Sequence, residues 1–170
     1  MTDQLSAPFT LERRFAAPRS RVYAALTESA HLRHWMCPPG MNMVKCEADA
    51  RVGGVFHYGM QAAMPGAPAM WGKWTFRALE QDQKIQVVVQ FSDADGGVTR
   101  HPMAPNWPLY TLSTTTLSDD GEGTLMRLEW RALNATDAEA AIFDASHASM
   151  AMGWGGAMDV LDGYLQQADK

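Results

Sequence analysis

The stretch "MAMGWGGAMDVLDGYL", residues 150–165, sets the terms for the fold. Met150, Trp154, Met158, Leu161 and Leu165 recur at helical spacing, and the series extends back through His147 to Phe143 at intervals of 4, 3, 4, 4, 3 and 4. Such a stripe lies along one face of an amphipathic helix. Yet Gly153, Gly155 and Gly156 surround Trp154, and Gly163 follows one turn before the end. Each glycine weakens a helix interior by about 0.5–1 kcal/mol relative to alanine, so three together cost roughly 2–3 kcal/mol. Two readings account for that cost: another element packs closely on the small-residue flank, or the flank leaves room for a ligand.

Working back from this helix, the chain reads as strands. "FTLERRFAA" (9–17) alternates with a period of two; Pro18 then opens "PRSRVYAALTES", in which Val22, Tyr23 and Leu26 mark one helical face. A second short helix, "SAHLRHW", ends at Cys37-Pro38-Pro39-Gly40. Strand-like runs follow near 42–49, 54–60, 71–80, 84–92, 109–118 and 124–133, joined by turn-rich segments such as "SDDGEG". One helix from about Asp137 to Gln167 closes the chain. Phe56, Tyr58 and Met60 share a face, as do Trp74 and Phe76, then Ile85, Val87, Val89 and Phe91, then Met126, Leu128 and Trp130. Their neighbours His57, Lys73, Arg77, Gln86, Gln90, Arg127 and Glu129 point the other way, so one face of the sheet is read as wet. The order of strand, two helices, six strands and helix predicts an α+β domain, an antiparallel sheet packed on one long helix.

Composition bounds the function. A chain of 170 residues, 46% hydrophobic and 19% charged, is large enough for one core and too apolar to be disordered. No apolar run reaches the roughly 18 residues that span a bilayer, and "MTDQLSAPFT" carries no secretion signal, so a cytoplasmic location is expected, with no membrane partner. The net charge of -5 and the lack of a basic cluster argue against nucleic acid. Cys37 and Cys46 are nine residues apart, a spacing that fits neither a disulfide framework nor paired zinc ligands.

Five segments in order, "HLRHWMCPPGMN", "DARVGGVFHY", "GKWTF", "FSDADGGVTRHPMAPNWPLYTLSTTTL" and "GWGGAMDVLDGYL", resemble the successive motifs of the AHSA1-like family. That family takes its name from the carboxy-terminal domain of the activator of the heat-shock-protein-90 ATPase, within the START/Bet v 1-like (SRPBCC) superfamily. The resemblance runs over residues 8–167, leaving 1–7 and 168–170 as tails. It implies a helix-grip fold: a curved antiparallel sheet wrapped around the long C-terminal helix, two short helices after the first strand, and a cavity between sheet and helix. Where the family carries a Trp-aromatic pair, this chain has Trp35-Met36. The chain is too short to hold the separate amino-terminal domain with which the eukaryotic activator meets its chaperone.

No catalytic motif emerges. His31, His34 and Cys37 stand at H-x-x-H-x-x-C, but Pro38 stops the helix and no fourth ligand follows, so no metal is expected. Asp144, Ser146 and His147 diverge at about 100° per residue on a helix. "DADGG" (93–97) begins like a calcium loop, yet its twelfth position is Ala104, and a hairpin turn is the expectation. Arg100 and His101 lie in the Pro-rich "TRHPMAPNWP" loop, which is expected with Trp35 to flank the cavity entrance, Arg100 either meeting an anion there or simply solvated. Twelve methionines and six tryptophans exceed what a core alone requires and suit an adaptable apolar pocket. The expected function is therefore binding of a small hydrophobic or amphiphilic ligand, as carrier, sensor or sequestering module, without a cofactor. The candidate lining is Trp35, Phe56, Tyr58, Trp74, Phe91, Trp130, His147, Met150 and Trp154. Two alternatives stay open: a cyclase- or hydrolase-like enzyme in which His147 or Tyr58 moves a proton, and a protein-interaction module related to the chaperone activator.

Overall fold

The computed structural model describes residues 4–167. The segment 168–170 and residues 1–3 lie outside them. The chain starts in β1 (Phe9–Phe15), passes through α1 (Arg19–Thr27) and α2 (Ser29–Trp35), and enters β2 (Met41–Ala48) at the opposite edge of the sheet. It then returns through β3 (Val55–Ala62), β4 (Ala69–Glu80), β5 (Lys84–Ser92), β7 (Thr111–Asp120) and β8 (Gly123–Ala132) until β8 pairs with β1. The sheet order is β1-β8-β7-β5-β4-β3-β2, with antiparallel pairs throughout, and a two-residue strand β6 (Val98–Thr99) pairs with β5. β6 is too short to leave a trace in the alternation. The "DADGG" segment is the turn between β5 and β6: Asp93 Oδ1 accepts from the Asp95 and Gly97 amides at 2.9 and 2.8 Å, and Gly96 takes a φ of 89°. Ahead of β1, the residues at 5 and 6 continue along the end of β8, where the Ser6 amide donates to Ala132 O at 3.1 Å.

Curvature has local causes. The register shifts between Met43 and Lys45 and between Phe76 and Ala78 place an extra residue in β2 and in β4, and such bulges bend a sheet. Between β3 and β4, the facing pairs Tyr58–Gly72 and Gly59–Trp71 reverse the large and small partners on successive rungs. A side-chain carbon at Gly72 would lie 2.5 Å from the Tyr58 hydroxyl, and one at Gly59 would lie 2.7 Å from the Trp71 ring. Each aromatic ring therefore lies across its partner's glycine, one on the concave face and one on the convex face.

The concave face closes on the last helix. Phe56, Phe76, Ile85, Val87 and Met126 share one buried cluster with Met158, Leu161 and Leu165 of that helix and with Val22, Leu32 and Trp35 from α1 and α2. Arg13 of β1 pairs with Asp159 at 2.7 Å, and the Arg21 guanidinium donates to Leu165 O at 2.8 Å, satisfying a carbonyl at the helix end.

Two expectations change. The closing helix is interrupted: α3 (Asp137–Ala145) and α4 (His147–Gln167) meet at Ser146. Thr136 and Glu139 form a capping box at the start of α3. At Ser146 the amide tightens to Phe143 O (3.1 Å) while the side chain donates back to Ile142 O (2.7 Å), a local competition with the helical ladder that bends helices. The apolar stripe continues across the break, which is why spacing alone does not reveal it. The second change is His57, read as solvent-facing but buried. Its Nε2 lies 3.2 Å from both Ser92 Oγ and Asp93 O, and Trp71 covers the ring at 5.5 Å.

Candidate functional site

The space between sheet and helix is nearly full. Trp35, Trp74, Trp154, Met126 and Met158 converge with Leu26, Ile85, Val87 and Val89 around a void of about 30 Å³, enough for roughly one water. Bulky rings from three separate parts of the chain occupy the interior that the resemblance leaves for a ligand.

Open space lies instead at the mouth. A cleft of about 490 Å³ is bounded by Trp35 and Met36 after α2, by His101, Ala104 and Trp107 of the Pro-rich loop, by Trp130 of β8, and by Ser146, Ser149, Met150, Gly153, Trp154 and Ala157. Beside it, a smaller pocket of about 140 Å³ shares His101, Trp107 and Trp130 and adds Val89, Phe91, Pro108 and Thr111. The rings interlock: Trp130 meets Trp107, Phe143 and Trp154 at 6.1, 5.7 and 5.8 Å between centroids, and Phe91 meets His101 at 4.5 Å.

The expected lining residues separate into groups. Trp35, Trp130, Met150 and Trp154 border the cleft, Phe91 borders the smaller pocket, and Trp74 borders the small internal void. Phe56 is wholly buried in the core beside Tyr58 and Trp74. Tyr58 borders none of these spaces; burial pushes its hydroxyl up to about 12, against a smaller opposing effect of the Trp74 hydrogen bond, so it stays protonated near neutral pH. His147 borders none of them either. Its ring is wedged edge-on between Phe9 and Phe143, and its Nε2 is buried without a hydrogen bond, 3.8 Å from Asp144 Oδ1. Ser146 is turned away to Ile142 O, so Asp144, Ser146 and His147 form no relay.

The Pro-rich loop is held by charge. Arg100 pairs with Glu139 of α3 and donates to Trp107 O at 3.4 Å, so its guanidinium is tied to the protein rather than offered to an anion. Burial raises the Glu139 carboxyl, but the Arg100 hydrogen bond, the Thr136 amide and the Arg100 charge together bring it below the ordinary 4.5. His31 Nδ1 sits 2.6 Å from the Tyr164 hydroxyl and His34 stacks on the same ring, so both histidines of the H-x-x-H-x-x-C segment are engaged with α4, while Cys37 is a half-buried free thiol. Among the described residues no cluster of three His, Cys, Asp or Glu side chains that could hold a metal occurs.

The glycines of α4 are not wedged against the sheet. A side-chain carbon at Gly153, Gly155, Gly156 or Gly163 would have nothing within 4 Å. Close packing therefore does not account for them, and of the trio around Trp154 it is Gly153, not Gly156, that borders the cleft. The Trp35-Met36 pair and the Pro-rich loop that carries Trp107 do meet at the cleft, as the sequence reading expects of the entrance, whereas Trp107 itself and Thr111 are not among the expected lining residues.

The family model for Activator of Hsp90 ATPase homolog 1-like protein matches residues 16–166. This chain belongs to that family. No curated protein matches it. Among solved structures, an Arthrobacter aurescens protein superposes with a TM-score of 0.75 at 20% identity, over 96% of this chain and 91% of that one. A Mycobacterium smegmatis protein gives 0.72 at 20% identity, over 93% and 90% of the two chains. The AHSA1 protein of Silicibacter pomeroyi gives 0.71 at 17% identity, over 95% and 99%. These likenesses place the AHSA1-like chain in the helix-grip fold. Among the described residues no helix is long and apolar enough to cross a membrane.

Proposed function

We propose that this AHSA1-like protein binds a small hydrophobic or amphiphilic molecule in the cleft between the Pro-rich loop and the first half of α4. The carrying observation is the cleft itself: about 490 Å³, lined by four tryptophans and two methionines, with Gly153 on its wall. That volume falls within the range of small-molecule sites, and its mostly apolar lining with few polar groups is their usual chemistry. Met36 and Met150 make the wall adaptable. Binding is favoured over proton-transfer catalysis because neither Tyr58 nor His147, the two residues the enzyme reading relies on, borders the cleft or the pocket beside it.

The test uses anilinonaphthalene sulfonate fluorescence with two helix variants. Gly153→Leu projects a side chain into the cleft and is expected to weaken probe binding at least tenfold. Gly156→Leu, outside the cleft lining, is expected to leave binding unchanged. Equal binding by both variants and the parent protein would remove the site.

A further inference from the structure

Methionines collect at one end of the sheet, outside the cleft lining. Met43 of β2 stands directly opposite Met60 of β3, and Met60 stands directly opposite Met70 of β4. Three neighbouring strands thus carry a methionine on the same rung, and side chains paired across antiparallel strands point to the same face. That face is the concave one: Phe56 and Tyr58 precede Met60 at intervals of two, and Phe56 lies in the core. Cys46, opposite Tyr58, lies on the next rung of this face, its thiol 3.7 Å from Ser29 O.

Core packing does not account for the row. None of the three methionines belongs to either buried cluster or to the residues packed against it. Met70 is 41% exposed, and Met43 and Met60 are half-buried. By contrast, Met126 and Met158 are core residues, and Met36 and Met150 line the cleft.

A row of thioethers has a chemistry of its own. The sulfur is a neutral, polarisable donor that suits soft ions such as Cu(I), whereas calcium and magnesium take oxygen. The segments that form the row, 41–43, 59–62 and 69–72, hold no histidine, cysteine, aspartate or glutamate, so the donors that zinc takes are missing there. Strands about 4.8 Å apart put an ion above Met60 within reach of both flanking side chains, each of which leans inward by about half that spacing. The three rotatable bonds of methionine allow the lean.

We propose that Met43, Met60 and Met70 form a three-sulfur site for a soft monovalent ion of the Cu(I) class at the end of the β2-β3-β4 ladder. The site is independent of the cleft and of any molecule bound there.

Silver(I), soft and monovalent like Cu(I) but without a redox step in water, is the probe. Free thiols bind silver strongly, so the titration uses the full chain carrying Cys37→Ser and Cys46→Ser, labelled at the methionine methyl carbons and followed by NMR in chloride-free buffer. The methyl signals of Met43, Met60 and Met70 should shift together and saturate at a single equivalent, while those of Met126 and Met158 stay in place. Zinc should move none of the three. Met60→Leu, a volume-conserving swap, should weaken silver binding at least about tenfold, since loss of even an outer partner of a metal ligand typically costs that much. Met70→Leu, at an exposed position, should weaken it similarly and keeps the test valid if Met60→Leu fails to fold. The site is overturned by silver that leaves the three signals in place or shifts the exposed Met103 and Met152 to the same extent. An equal response to zinc, or an unchanged silver affinity in either folded leucine variant, overturns it as well.

Discussion

Replacing Gly155 and Gly156 together by alanine should stabilise the protein, and the structure sets the size of the gain. Both lie inside α4, neither takes a positive φ, and a side-chain carbon at either position meets nothing within 4 Å. The native state thus charges nothing for the added methyl groups, while the unfolded chain loses conformational freedom. At about 0.5–1 kcal/mol per glycine, the pair should gain about 1–2 kcal/mol. For a chain of this length, 1 kcal/mol moves the melting temperature by about 2–4 °C, so the double variant should melt roughly 2–8 °C higher. Thermal melts followed by circular dichroism give the shift, and urea titration with an unchanged slope would place the effect in stability rather than in compactness. A melting temperature that stays put or falls would refute the reasoning. It would mean that the flank of α4 approaches another surface, such as a bound partner, and that the glycines are there for closeness after all.

Two further changes probe the frame around the cleft. Trp35 is 1% exposed and its indole N–H donates to Ala25 O at 2.7 Å, so Trp35→Ala should cost about 3–5 kcal/mol in urea unfolding; a loss under 1 kcal/mol would show that the ring is not a core element. Glu139 is held below its ordinary 4.5, so its contribution to stability is present above that pH and is lost as the pH falls through the lower folded-state value. The stability gap between the parent protein and Glu139→Gln should therefore be widest near neutrality and close on acidification below 4.5; a gap independent of pH would separate Glu139 from the charge pairing with Arg100.

Sequence by itself determined the order of the longer strands and of the helical segments, though neither β6 nor the break between α3 and α4. Alternation in β3, β4, β5 and β8 and the stripe from Phe143 to Leu165 follow from backbone geometry, which acts over a few residues and is written in consecutive side chains. The same local rules located the Pro-rich loop and the turn at "DADGG". They failed where a second element intervenes. His57 alternates like an exposed residue, but the end of β5 supplies its hydrogen bonds and Trp71 of β4 its cover. Ser146 breaks the closing helix through a bond to Ile142 that the continuing stripe hides. Above all, tertiary structure decided where there is room. Free volume is what remains after side chains from distant segments have met, and Trp35, Trp74 and Trp154 fill the interior that the helix-grip pattern leaves open. The proposed cleft falls instead where the Pro-rich loop carrying Trp107 meets α4, beside the one glycine of the Trp154 trio that borders it.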